Sequence, residues 1–129
     1  MLSFLLLGGT VMYRVIFYQK RNGETPVLDY MKSLQGAETK TSRIQYNKIA
    51  QYIKVLTEMG TRAGAPIVKH LDGDIWELRP IRDRILFAAM VDGCFILLHC
   101  FLKQTQKTPA REIEQAKREL KDYLQRGEE

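Results

Sequence analysis

Three apolar runs dominate the second half of the chain: Ile75 to Arg79, Arg84 to Val91, and Phe95 to Lys103. Turn residues separate them, Pro80 to Asp83 first and Asp92-Gly93 second, so they read as three consecutive antiparallel strands. A two-residue hairpin at Asp92-Gly93 sets Val91 opposite Cys94, Ala89 opposite Ile96, Phe87 opposite Leu98 and Ile85 opposite Cys100, all on one apolar side. The other side carries Arg84 opposite Phe101, with Lys103 two residues on and Arg79 brought alongside by the Pro80 to Asp83 turn. One face is expected to be covered by helices, and the other to present a cationic front suited to a phosphate chain.

The first half supplies the remaining elements. Tyr13 to Tyr18, rich in β-branched and aromatic residues, reads as the first strand. Thr25-Pro26 opens a short helix with Leu28, Met31 and Leu34 on its apolar stripe, closed by Gly36. A longer helix follows from about Thr39 to Met59, with Ile49, Tyr52, Ile53, Leu56 and Met59 at helical spacing and Gly60 as its stop. Thr61 to Gly73 is a loop with a short strand around Ile67 to Leu71. Thr108-Pro109 opens a last helix, which carries Ile113, Ala116, Leu120, Tyr123 and Leu124 and ends near Gly127. Glu112 and Glu114 lie in its early turns, where carboxylates complement the helix dipole. The expected architecture is α+β: a small antiparallel sheet with helices packed on one face.

Composition narrows the picture without changing it. With 129 residues, 45% hydrophobic and 27% charged, the chain suits a single core. Residues 12–129 are expected to form that one domain, and residues 1–11 an extension upstream of an effective start at Met12, or else an edge strand or partner-binding tail. Leu2 to Leu7 is too short to span a bilayer and lacks the basic flank of a secretion signal. The net charge is +5, and from Met12 to Lys69 ten Lys or Arg oppose four Asp or Glu. A polyanionic partner fits that balance, as does a merely solvated surface. Cys94 and Cys100 are six positions apart on one strand, roughly 20 Å at about 3.3 Å per residue, too far to bond. With no CxxC pair and two histidines, neither a zinc site nor a disulfide framework is supported, and a reducing cytoplasm is the simplest home.

The combination of Lys69 to Gly73, Trp76-Glu77-Leu78-Arg79, Arg84 to Phe87 and the run from Leu97 through His99, Phe101 and Lys103 to Lys107-Thr108-Pro109 resembles the HigB-type branch of the RelE toxin superfamily, and within it the phage-derived toxins. The resemblance covers nearly all of Met12 to Tyr123. It implies a RelE-like fold and a ribosome-dependent, metal-independent messenger-RNA endonuclease with no cofactor. It also implies a cognate HigA-like helix-turn-helix antitoxin, with operator DNA reached only through that antitoxin. In the related chemistry the ribose 2′-hydroxyl attacks the adjacent phosphorus and the 5′-oxygen of the next nucleotide leaves, a step that guanidinium and ammonium groups stabilise. By position, Arg79 matches the arginine on the scissile phosphate and Lys103 the basic residue that protonates or neutralises the leaving oxygen. Lys69 lies where relatives carry a lysine implicated as base, beside His70, while Arg84 and Lys107 match phosphate contacts.

The tyrosine that RelE carries after its final strand has no counterpart in Gln104 to Pro109. Phe101 can stack on a base but cannot move a proton, which leaves the general base unassigned. His99 reads as a structural histidine hydrogen-bonded at the sheet front, Trp76 as core by strand parity, and Glu77 as the group that holds an arginine in place. Two other readings fit the residues: a catalytically silent toxin-fold protein that binds antitoxin or nucleic acid, and a DNA-binding regulator acting through Arg43 and Lys48. The second lacks helix-turn-helix spacing.

Overall fold

The computed structural model describes residues 3–4 and 13–127. Its strands are β1 (Ser3–Phe4), β2 (Arg14–Phe17), β3 (Val68–Asp72), β4 (Ile75–Leu78), β5 (Asp83–Ala89) and β6 (Cys94–Leu102), and its α-helices are α1 (Pro26–Ala37), α2 (Lys40–Met59) and α3 (Ala110–Gly127). The strands form one sheet in the order β1-β2-β6-β5-β4-β3. The α+β class is as expected, but the sheet is mixed rather than antiparallel throughout. β2 runs parallel to β6, from Arg14 beside Cys94 to Phe17 beside Leu97. Parallel neighbours require a long crossover, and the chain from α1 to β5 provides it. Ser3–Phe4 pairs with Val15 and Ile16 at the sheet edge, so part of the N-terminal extension is an edge strand; residues 1–2 and 5–12 lie outside the described residues.

A second correction concerns the faces. Helices cover both sides of the sheet, not one. Val27, Met31, Leu34, Ile49, Ile53 and Leu56 of α1 and α2 pack on Val15, Phe17, Leu78, Ile85, Phe87, Phe95 and Leu97. Ala116 and Leu120 of α3 pack on Ile16, Ile75, Leu86, Ala88, Ile96 and Leu98 from the other side. The expected cationic front is therefore roofed by α3 over most of its length, leaving only the end near Arg79, Arg84 and Phe101 for chemistry.

The β5–β6 hairpin also departs from the expected register. Instead of a two-residue turn, Met90 pairs with Cys94 (N···O 2.9 Å) around a three-residue loop, Val91-Asp92-Gly93, in which Gly93 takes φ +81°. Ala89 thus faces Phe95, not Ile96, and Phe87 faces Leu97, not Leu98. An extra residue at Leu98 then restores the expected pairs Ile85 with Cys100 and Arg84 with Phe101. Because of this bulge both Leu98 and His99 turn toward α3, Leu98 into its apolar contact and His99 onto Glu119.

The helix ends follow local chemistry. Thr39 and Ser42 form a capping box that starts α2. Gly60 ends it at φ +62°, where a Cβ would lie 2.8 Å from the Tyr13 ring. Thr25 precedes a proline at the first helical position, but its hydroxyl donates to Asp29 (2.8 Å) rather than to the α1 backbone. Cys94 and Cys100 are both free, as expected of core fillers. Trp76 is only half-buried, on the α1–α2 side.

The centre of the larger core is Phe87, fully buried and edge-on to Phe95 at 5.6 Å between ring centroids. Phe87→Ala is expected to lower stability by about 3–5 kcal/mol, more than Trp76→Ala, in urea denaturation followed by circular dichroism.

Candidate functional site

Glu77, on β4, faces α3 and is 2% exposed. A carboxylate this buried requires compensation. Thr108, just before α3, donates its hydroxyl to Glu77 Oε2 at 2.6 Å. Oε1 lies 3.5 Å from Arg79 Nε and 4.0 Å from Arg84 Nε. One carboxylate therefore gathers two guanidiniums, Arg79 just past the end of β4 and Arg84 near the start of β5.

The two arginines differ in what else they do. Arg84 is buried and spends Nη1 on the carbonyls of Ile81 (3.0 Å) and Asp83 (2.8 Å), fastening the turn between β4 and β5. Burial lowers its pKa and Glu77 opposes that, so a guanidinium still carries charge here. Arg79 is 24% exposed, and its Nε is drawn toward Glu77 without making a hydrogen bond. That N–H is a donor held in place with nothing aligned to receive it.

Beside this pair, the end of β6, the loop 103–109 and the first turn of α3 enclose a recess of about 120 Å³. Arg84 and Glu77 form its floor, and Phe101, Lys103, Lys107 and Arg111 line its walls. The Lys103 amide donates to the Arg82 carbonyl at 2.7 Å, tying the last strand to the arginine-bearing turn. The Thr105 hydroxyl donates to the Lys107 carbonyl (2.7 Å) and shapes the loop between the two lysines. Phe101 is half-buried against the α3-side core. Lys69 is exposed on β3 directly across from Glu77, and so on the same face. His70, one residue on, points to the opposite face, hydrogen-bonded to the Gly73 carbonyl (2.7 Å) and edge-on to Trp76. The fold thus brings Arg79, Arg84, Phe101, Lys103 and Lys107 together and leaves His70 apart. Among the described residues, no group of three or more His, Cys, Asp or Glu is arranged to hold a metal ion.

The α3 carboxylates are the part that helical spacing did not reveal. His99 is 5% exposed and lies between Glu119 (Nδ1···Oε1 2.5 Å) and Glu112 (Nε2···Oε1 3.0 Å). Gln115 donates to the second Glu119 oxygen at 3.2 Å. His99 is the structural histidine expected at the sheet front, and Glu112, read as a dipole partner alone, is also its ligand and part of the recess lining.

The family model described as phage derived protein Gp49-like matches residues 39–121. The match spans α2, β3 to β6 and most of α3, and hence every side chain of the recess. No curated protein matches the chain.

The His99 clamp makes stability depend on pH. Burial pulls the imidazole pKa down, but the hydrogen bonds and charges of Glu119 and Glu112 outweigh it and raise the folded value above 6.5. Its contribution is complete below the unfolded value of about 6.5 and is lost as pH rises through the higher folded value. Melting temperature is expected to fall across that window in the intact protein and to be flatter there in His99→Gln, as read by thermal melts at stepped pH.

Proposed function

Because the chain belongs to the Gp49-like family, a phage-derived family within the RelE-like group of type II toxins, we propose that it is a HigB-type toxin that cuts messenger RNA on the ribosome. A toxin of this group has an antitoxin partner, and in this reading the partner is HigA-like, with a helix-turn-helix domain that alone reaches operator DNA. The observation that carries the proposal is the arginine pair gathered by Glu77, of which Arg84 lines a recess shared with Lys103 and Lys107 and Arg79 stands beside it. A phosphodiester is the substrate class that such a set of donors fits.

In this mechanism Arg79 receives a non-bridging oxygen of the scissile phosphate on the solvent-exposed part of its guanidinium, while its buried Nε stays turned toward Glu77. Arg84 backs it with charge while keeping the turn in shape. The 2′-oxygen attacks phosphorus, the bond to the 5′-oxygen breaks, and the Lys103 ammonium protonates the leaving oxygen. Lys107 and Lys69 bind flanking phosphates, and a base stacks on Phe101. Glu77 prevents the two guanidiniums from repelling each other, so charge that develops on phosphorus meets donors already in place. His70 has no part in these steps. No helix among the described residues is long and apolar enough to cross a membrane, and the cytoplasm, where the messages are, is the proposed place of action.

Induction of the protein alone in bacteria, with mapping of messenger-RNA 5′ ends, is expected to reveal new cuts that vanish when ribosomes are emptied of messages. Cuts that persist would indicate a free ribonuclease, and their absence a protein that only binds. Arg79→Ala and Lys103→Ala are each expected to slow cleavage by about 10²-fold or more while leaving the circular-dichroism spectrum and antitoxin binding unchanged.

A further inference from the structure

We infer that Glu112 is the proton acceptor for the attacking 2′-hydroxyl and that His99 is its positioning residue, an assignment that rests on the endonuclease reading above. Two carboxylates line the recess, Glu77 and Glu112. Glu77 is unsuited, since Thr108 holds one of its oxygens, the arginines flank the other, and almost none of it reaches solvent. The Glu112 side chain is 16% exposed. Its Oε1 is fixed by His99 Nε2 at 3.0 Å, while Oε2 stands 3.8 Å from the well-exposed Arg111 side chain. One oxygen is anchored and the other has a movable neighbour that an incoming phosphate can draw away.

The anchoring is rigid for a chemical reason. Both imidazole nitrogens of His99 face carboxylate oxygens, which accept and do not donate, so the ring is held as an imidazolium donating on both sides. Glu119 and Gln115 fix its far end. His99 does not line the recess, and with both nitrogens engaged it cannot take a proton from substrate. It can only aim Glu112. Lys103, Lys107 and Arg111 on the same recess would hold the phosphate chain, setting the ribose beside a carboxylate that is not sealed from solvent.

The proton and electron movements balance. The 2′-hydroxyl proton passes to Glu112 as the 2′-oxygen pair forms its bond to phosphorus. The bond from phosphorus to the 5′-oxygen breaks, its electron pair leaves on that oxygen, and Lys103 supplies the proton that makes a 5′-hydroxyl. The other product is a 2′,3′-cyclic phosphate, and water returns the proton from Glu112 to Lys103.

The test uses the full-length protein in a reconstituted translation reaction, with cleavage read as messenger 5′ ends. Glu112→Gln keeps an oxygen for His99 but cannot accept a proton, so it is expected to cut at least about 10²-fold more slowly than the wild type while still folding to the same circular-dichroism spectrum, with only the fall in melting temperature that loss of one clamp charge brings. Glu114→Gln, which changes an exposed carboxylate of the same helix outside the clamp and the recess, is expected to stay within a few-fold of the wild type. Glu112→Ala gives an independent readout, because added formate restores cleavage if a proton acceptor was lost and does nothing if only structure was. A Glu112→Gln protein that cuts within a few-fold of the wild type, a Glu114→Gln loss as deep as that of Glu112→Gln, or an absence of formate rescue overturns the assignment. A wild-type protein that cuts nothing in this reaction overturns the endonuclease reading itself, and this inference with it.

Discussion

The buried carboxylate of Glu77 is the constraint around which this end of the molecule is organised. Left alone at 2% exposure it would be costly by several kcal/mol, and its partners come from three separate places: Thr108 before α3, Arg79 after β4 and Arg84 in β5. Satisfying one charge therefore sets where the last helix begins, how the β4–β5 turn is closed and how near two guanidiniums stand. An apolar residue of similar shape at position 77 would relieve the desolvation but leave two cations facing each other. The polar network favours one arrangement of the site more than it favours stability as such, and that arrangement is the one on which the proposed function rests.

Much of this was legible from residue order. Arg79, Arg84 and Lys103 fall at strand ends beside turns, and short antiparallel connections force such ends together, so their grouping needs only the hairpin pattern, while Lys107 comes from the loop that follows. The pairing of Arg84 with Phe101 survives in the structure because the three-residue loop and the Leu98 bulge shift register in opposite directions and cancel beyond His99. Neither device leaves a strong local signal: Asp92-Gly93 reads equally well as a two-residue turn, and Leu97-Leu98 looks like uninterrupted strand. Which apolar residues of β6 meet α3 depends on those details, since the shift turns Ile96 and Leu98, rather than Phe95 and Leu97, toward it. The contacts of His99 with Glu112 and Glu119 span 13 and 20 residues, and helical periodicity marks both glutamates merely as positions off the apolar stripe.

The third helix thereby serves two ends at once. Ala116 and Leu120 complete the smaller core, while Glu112 and Glu119, on the same helix, grip a histidine delivered by a strand irregularity. The ion pair between Lys117 and Asp72 ties the helix to the β3–β4 hairpin as well. A helix with a purely apolar inner face could slide along the sheet at little cost. The charged clamp fixes its register, and so fixes the mouth of the recess that its first turn borders.

The parallel pairing of β2 with β6 has a consequence for the order in which the chain acquires structure. β2 emerges early in synthesis, yet its inner neighbour is made some eighty residues later, after both crossover helices and three further strands. Closing so long a loop comes at an entropic cost that only a chain extending through β6 can offset, and local helix formation in α1 and α2 cannot substitute for it. The recess is later still, since its last wall is the opening turn of α3. A nascent chain truncated before that helix would have its arginines but no enclosed pocket, so the strand that holds the charges and the helix that walls them in become a site only when both have been made.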